Sequence, residues 1–222
     1  MTRFAPILKR AQRRAGGAEA LEAELPRPKS GAEIAALSDD RCLSLMSRRA
    51  FRAGLRHALV DARWPAFEDV FFGFEPRRVR AMSDEDLERL VSERRIIRHW
   101  GKIKAVRNNA AAMIEVSESH DGFGAYLAEW PTADIMGLWR DLGRRFSQMG
   151  GNSAPSFLRM AGKDTFLLTD DVVRALIGAG VVERRPSAKD ERAATQRAFN
   201  DWAAETGRAL CQISKILALS AG

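Results

Sequence analysis

The sequence of 222 residues is poor in the residue types that build disulfide frameworks and metal clusters. Its two cysteines, Cys42 and Cys211, exclude a disulfide-stapled fold and a metal cluster made of cysteine alone. The three histidines, His57, His99 and His120, lie too far apart to form a local metal-binding motif. No apolar run approaches the ~20 residues of a membrane span, and the N-terminal segment lacks the apolar core of a secretion signal. We therefore expect a soluble cytoplasmic protein without metal, cofactor or membrane contact.

Positive charge is in excess. The chain has 36 Lys and Arg against 29 Asp and Glu, which gives a net charge of +7 and a pI near 10.0. Between Arg94 and Arg107 there are basic residues at six positions and no acid. Such a balance favours a polyanion such as nucleic acid as partner, although a solvated helix face explains the basic cluster equally well.

The hydrophobic pattern is helical throughout and shows no run of strict alternation, so we predict an all-α fold. Residues 1–30 look like a basic N-terminal arm that ends in the linker "LPRPKSG", and residues 31–222 are expected to form one helical domain. Ser38 and Ser83 are predicted helix caps. One long helix after Ser38 is expected to carry the apolar positions Leu43, Met46, Phe51, Leu55 and Leu59.

The stretch "DTFLLTDDVVRAL" places two adjacent acids, Asp170 and Asp171, between two apolar runs. Acids at a helix start accept hydrogen bonds from free backbone N–H groups, which is a purely structural role. A carboxylate beside a buried pocket can instead act as a base or stabilise a developing cation. The residues alone leave both roles open.

Just upstream, "DLGRRFSQMGGNSAPSFLRMAGKD" contains two glycines, Gly150 and Gly151, between two amphipathic segments. Glycines allow a tight turn, and N–H groups at the start of the next helix can bind a phosphate. Residues 138–176 resemble the helix-hairpin-helix segment of the DNA glycosylase superfamily, with Ser147 and Gln148 in place of its usual Pro and first Gly. The resemblance implies contact with the DNA backbone at Gln148, Met149, Gly150, Gly151, Asn152 and Ser153.

A second motif, Ile96 to Ile103 ("IIRHWGKI") followed by Asn109-Ala110, resembles 3-methyladenine DNA glycosylase I. Together the two resemblances cover roughly residues 38–180. They imply a two-lobed helical fold, a monomer, and a substrate of double-stranded DNA that contains a damaged, alkylated purine resembling 3-methyladenine.

The base pocket departs from the family pattern. Aligned on Ala53-Gly54-Leu55, the positions where the family has a Glu and a Trp are occupied by Arg49 and His57. This exchange of an acid for a base argues against 3-methyladenine itself. The family's terminal Cys and His zinc ligands are missing too, so we predict no metal. Candidate base-pocket residues are Arg49, Phe51, His57, Trp64 and Trp100.

The resemblance also implies a mechanism. Cleavage of a glycosidic bond builds positive charge on the sugar, and a carboxylate nearby stabilises it and activates water. Alignment favours Asp171 as this catalytic acid, with Asp170 then capping the helix. Superfamily members that also cut the strand have a Lys where this chain has Asn152, so we expect base excision by water alone. The alternative is a DNA-binding relative of the same fold that has lost catalysis.

Overall fold

The computed structural model describes residues 3–221, and within them the chain is helical with no β-strand, which confirms the all-α prediction. Two 3-10 turns, at Phe72–Phe74 and Thr132–Asp134, accompany the α-helices. In chain order the helices are α1 (Ala5–Ala15), α2 (Ala18–Glu24), α3 (Gly31–Ala35), α4 (Asp39–Arg52), α5 (His57–Ala62), α6 (Trp64–Val70), α7 (Pro76–Arg80), α8 (Asp84–Ser92), α9 (Trp100–Ser119), α10 (Phe123–Glu129), α11 (Ile135–Arg145), α12 (Ser153–Ala161), α13 (Asp170–Gly178), α14 (Lys189–Thr206) and α15 (Leu210–Ala221).

The chain divides into two compact units, in agreement with the expected two-lobed fold. The central unit consists of residues 30–130 and 137–163. The terminal unit consists of residues 3–29, 131–136 and 164–221. Within residues 3–221, no helix is both long enough and apolar enough to cross a membrane.

A column of aromatic rings fills one part of the central unit's core. Its rings stack or tilt against one another at centroid distances of 4.5 to 6.5 Å. The spacing of these residues places most of them on one helical face, and aromatic burial contributes strongly to core stability. The members of the column are Phe51, Trp64, Phe67, Phe71 and Phe74.

The helix predicted to run from Ser38 through Leu59 is interrupted, so that part of the prediction is wrong. α4 ends at Arg52, and Gly54 follows with φ +77°, a left-handed conformation that an α-helix cannot contain. Leu55 and Leu59 consequently lie outside the core, at 38% and 45% exposure. By contrast, Ser83 caps α8 as predicted, in a reciprocal capping box with Asp86.

Residues 3–29 are part of the terminal unit rather than an appended arm, which corrects the expected domain boundaries. α1 packs against α15, and its apolar stripe, which includes Phe4 and Ile7, is buried. The ring of Phe4 contacts that of Trp202 at a centroid distance of 5.6 Å, and its backbone N–H donates to the carboxylate of Glu205. The basic residues of α1 therefore lie on the exposed face of an amphipathic helix whose other face is buried in the core.

Candidate nucleic-acid interface and base site

The glycine-containing loop joins α11 to α12 across residues 146–152 of the central unit. Gln148 has φ +64° and Gly151 has φ +58°. Gln148 thus adopts the left-handed backbone at the position where the superfamily motif has its first glycine, which costs a non-glycine residue about 1 kcal/mol. A Cβ atom on Gly150 would meet nothing within 4 Å, so the space above its backbone is open to a ligand.

The six candidate DNA-contact residues differ in exposure. Met149 is 1% exposed and Ser153 is 9% exposed, so the side chains of these two residues belong to the core of the unit. Gln148, Gly150 and Asn152 are exposed, as is Gly151. Within residues 3–221, the backbone N–H groups of Gln148, Gly150 and Gly151 donate to no protein acceptor. The structure therefore leaves a set of donors at the loop surface.

Asn109 holds this loop in place from α9. Its side-chain Nδ2 donates to the carbonyl of Ser147 at 3.1 Å, and its Oδ1 accepts from the Ser147 N–H at 2.7 Å. Asn109 is 1% exposed, so both hydrogen bonds are shielded from water. The loop also passes close to the backbone of Gly143 in α11, because a Cβ atom on Gly143 would lie 3.4 Å from the carbonyl oxygen of Met149. In the sequence Asn109 is only part of the Asn109-Ala110 motif, and the motif does not indicate this role.

The segment from Ile96 to Ile103 leads into the first turn of α9, and its lysine contacts the end of α4. Ile96 and Ile103 are buried. His99 is the N-cap, and its Nδ1 accepts a hydrogen bond from the Lys102 N–H at 3.3 Å. The side chain of Lys102 is 7% exposed, and its Nζ donates to the carbonyls of Phe51 at 3.3 Å and Ala53 at 2.6 Å. The motif lysine thereby satisfies carbonyls at the end of α4 that the broken helix leaves free.

Of the five base-pocket candidates, two are core residues. Phe51 is fully buried in the aromatic column. Trp64 is 6% exposed, and its indole N–H is shared between Ser44 Oγ and Glu68 Oε1, each at 3.1 Å. The ring of Trp64 stacks against those of Phe67 and Phe74. The ring of Phe51 is fully buried by edge and tilted contacts, so neither ring is open to an incoming base. The spacing of Trp64, Phe67 and Phe71 was a sequence signal for this packing.

The other three candidates are accessible. Trp100 is 41% exposed and His57 is exposed on the surface at the first position of α5. Arg49 is half-buried in the last turn of α4, with its Nε enclosed and without a hydrogen-bond partner among the described residues. Burial, and secondarily the charge of Arg52, lowers the pKa of Arg49.

The acid pair lies in the terminal unit, in the first turn of α13. Thr169 is the N-cap, and its hydroxyl accepts from the Val172 N–H at 3.3 Å. The expectation that Asp170 caps this helix is therefore wrong, because a β-hydroxyl one residue earlier already fills that position. Asp170 forms an ion pair with Arg185, and Asp171 forms one with Arg174. Both carboxylates are reachable by solvent, with side-chain exposures of 86% and 48%.

Within residues 3–221, no three His, Cys, Asp or Glu side chains converge in a way that could hold a metal ion. The two cysteines are buried and separate thiols. The absence of a zinc site in this chain stays a prediction for metal analysis of the purified protein.

Comparison with known proteins places this geometry in a family. Residues 34–145 match the model of the methyladenine glycosylase family. DNA-3-methyladenine glycosylase 1 of Escherichia coli (strain K12) is 39% identical over 72 residues, which are 32% of this chain and 38% of that enzyme. The alignment thus spans well under two thirds of this relative.

Solved structures of 3-methyladenine DNA glycosylase I share the fold. One crystal structure has a TM-score of 0.51 and 25% identity, and covers 64% of this chain and 84% of its own. The Staphylococcus aureus protein has a TM-score of 0.52 and 23% identity, and covers 62% of this chain and 80% of its own. The family match ends at Arg145, so the loop at 146–152 and the acid pair lie beyond it. With half of its length matched, the chain belongs to the methyladenine glycosylase family.

Proposed function

We propose that the protein is a DNA N-glycosylase that hydrolyses the glycosidic bond of a damaged, alkylated purine in double-stranded DNA and so begins base excision repair. Family membership supports the reaction class. The observation that carries the proposal is the exposed loop at 146–152, held by Asn109, since it offers backbone donors to a phosphate and belongs to the same unit as the family motif. We expect a monomer that acts inside the cell, where its substrate is.

The loop supports a sequence-independent grip on DNA. Backbone N–H groups and glycines allow a phosphate to approach closely without contact to any base edge. The net charge of +7 adds a long-range attraction to the polyanion. An enzyme that then acts on one base has to turn the nucleotide out of the stack into a pocket. We assign His57 and Trp100, with Arg49, to the surroundings of that pocket on the basis of their exposure.

Asp171 is our candidate for the catalytic acid. It lies in the first turn of α13, at the positive end of the helix dipole. Arg174 is its ion-pair partner on the same helix. An ionised carboxylate stabilises the cationic sugar and accepts a proton from the attacking water. Asp170, which is more exposed and pairs with Arg185, is the second candidate.

Hydrolysis without strand cleavage is the form of reaction that these residues favour. A glycosylase that cuts the strand needs an amine nucleophile to form a Schiff base with the sugar. At the loop position concerned this chain has Asn152, whose amide cannot serve as that nucleophile. The product is therefore expected to be a free base and an intact strand with an abasic site.

The test is incubation of the protein with methylated duplex DNA, followed by separate detection of free base and of strand breaks. Release of free purine, with breaks only after alkaline treatment, is the expected result. Binding should weaken steeply with salt, because each phosphate contact releases a counterion. If salt-sensitive binding occurs without base release from any damaged duplex, the alternative of an inactive DNA-binding relative is correct.

A further inference from the structure

Arg49 is a half-buried cation that the fold itself does not balance. Its Nε is enclosed and without a hydrogen-bond partner, and among residues 3–221 no carboxylate forms an ion pair with it. A guanidinium that loses water without gaining an acceptor raises the free energy of the folded state. Buried polar atoms without partners are rare in folded proteins, and each calls for a specific explanation.

Asp61 of α5 is already used by the two arginines that flank Arg49 on α4. Asp61 accepts from Arg48 Nε at 2.9 Å and from Arg52 Nη2 at 2.6 Å. These two cations hold the pKa of Asp61 below its ordinary value, with the hydrogen bond from Arg52 as the first cause. The carboxylate thus stabilises its two partners, and Arg49 on the same helix is left without one.

Lys102 adds a second positive charge near Arg49, and we call these two residues the cation cluster. The Nζ of Lys102 uses two of its three N–H donors on the carbonyls of Phe51 and Ala53. Burial lowers the pKa of Lys102, and the charge of Arg49 lowers it further. Two cations therefore lie at the end of α4 with hydrogen-bond donors to spare, where the helix dipole only partly offsets their charge.

We infer that the cation cluster makes the base site selective for a damaged oxopurine, whose O6 and N7 acceptors Arg49 binds, over 3-methyladenine. This inference rests on the proposed glycosylase reaction and goes beyond its alkylated substrate, because it adds oxopurines that arise by deamination. Arginine binds the O6 and N7 acceptors of a guanine-type edge with two donors. The corresponding edge of an adenine presents an amino group, which is a donor that faces the donor-only guanidinium. A cationic methylated adenine is repelled in addition by both charges.

The experiment compares single-turnover base release from duplexes that carry one hypoxanthine, one xanthine or one 3-methyladenine in the same sequence. We expect release of an oxopurine at least ~10-fold faster than release of 3-methyladenine. Arg49→Gln should lower oxopurine release about 10-fold or more, which corresponds to loss of roughly one bidentate contact. Arg49→Lys should restore it only partly, because a lysine binds as a point charge. Arg49→Glu should reverse the preference.

Arg192→Gln is the matched control, because Arg192 is an exposed arginine of α14 in the terminal unit and its loss removes the same charge. Its release rates should equal those of the unaltered protein. If 3-methyladenine is released fastest and Arg49→Gln leaves every rate unchanged, the selectivity inference is overturned while the glycosylase proposal stands.

A second measurement covers the outcome in which no base is released. Binding of free hypoxanthine, xanthine and 3-methyladenine to the full chain is then followed by calorimetry. Tighter binding of the oxopurines that weakens about 10-fold in Arg49→Gln would support the selectivity and refute catalysis. Binding of none of the three bases would refute both. A thermal melt of each variant shows whether a lost signal reflects unfolding instead.

Discussion

The cation cluster at the end of α4 and the acid pair at the start of α13 are stabilised in opposite ways. Arg49 is half-buried with its Nε unpartnered, whereas Asp170 and Asp171 are exposed and each has an arginine partner. An exposed ion pair on a helix changes stability little, so its presence is no sign of function. A partly desolvated charge without an acceptor is costly, so its presence calls for a specific explanation. Arg49 is therefore a candidate functional residue on structural grounds, whereas Asp171 is a candidate on the grounds of its sequence motif.

The largest effect that would sharpen this comparison is expected at Asp171. Asp171→Asn keeps the shape and the cap at Thr169 but removes the charge, so base release should fall by about 10²- to 10³-fold with an unchanged melting temperature. The rate is measured under single-turnover conditions. Asp190→Asn, at an exposed position in the first turn of α14, is the control. A drop caused by Asp170→Asn in place of Asp171→Asn would transfer the catalytic role to Asp170.

The second effect concerns the cation cluster itself. Lys102→Met deprives the carbonyls of Phe51 and Ala53 of their donor, and we expect a loss of about 3 kcal/mol in the free energy of unfolding. Urea denaturation measures it. Lys104→Met, on the exposed side of the same helix, is the matched control and should change stability by less than about 0.5 kcal/mol. If Lys102→Met lowers the free energy of unfolding no more than Lys104→Met does, Lys102 has no structural role.

The third effect links stability with DNA binding. Asn109→Ala removes both hydrogen bonds to Ser147 and should cost about 2 kcal/mol of unfolding free energy. It should also weaken binding to undamaged duplex, because the loop at 146–152 is no longer held. Asn108→Ala alters the exposed neighbour and should change neither quantity. Unchanged duplex binding by Asn109→Ala would separate the loop from DNA recognition.

The smallest effect is a pH dependence centred on Asp61. Its pKa is lowered in the folded state, so its contribution to stability is complete above its ordinary pKa of about 4 and is lost as the pH falls below that value. For this partly exposed carboxylate the contribution is at most about 1 kcal/mol. Denaturation between pH 6 and pH 3 should show a steeper loss for the unaltered protein than for Asp61→Asn. Parallel curves would mean that the ion pairs with Arg48 and Arg52 do not stabilise the fold.

The sequence was sufficient for the parts of this fold that depend on local signals. The all-α class and the cap at Ser83 follow from patterns within a few residues of each other. The end of α4 was missed because a nearby glycine does not end every helix, and Lys102, which binds the last carbonyls, lies about fifty residues away along the chain. The packing of α1 against α15 was missed for the same reason. Short helices such as α3, with five residues, fall below the length at which periodicity is readable.

The candidate site was predictable in a different way. The resemblance gave Arg49 and the loop at 146–152 as candidates, and the aromatic residues Phe51 and Trp64, which the structure buries, were candidates for lining the pocket. A sequence does not show which face of an aromatic ring is covered by its neighbours. Nor does it reveal the roles of Asn109 and Lys102, since both act through backbone groups of distant segments.

The pairing of Phe4 with Trp202 and Glu205 has a consequence for how the chain folds during synthesis. The central unit draws all its residues from 30–163, so its parts are synthesised before α14 and α15. The first helix, in contrast, contacts only α2 until its larger partner, α15, has been translated. Its apolar stripe remains open to chaperones through that interval, and we expect a nascent chain stalled before α15 to expose α1 to proteases while the central unit is already protected.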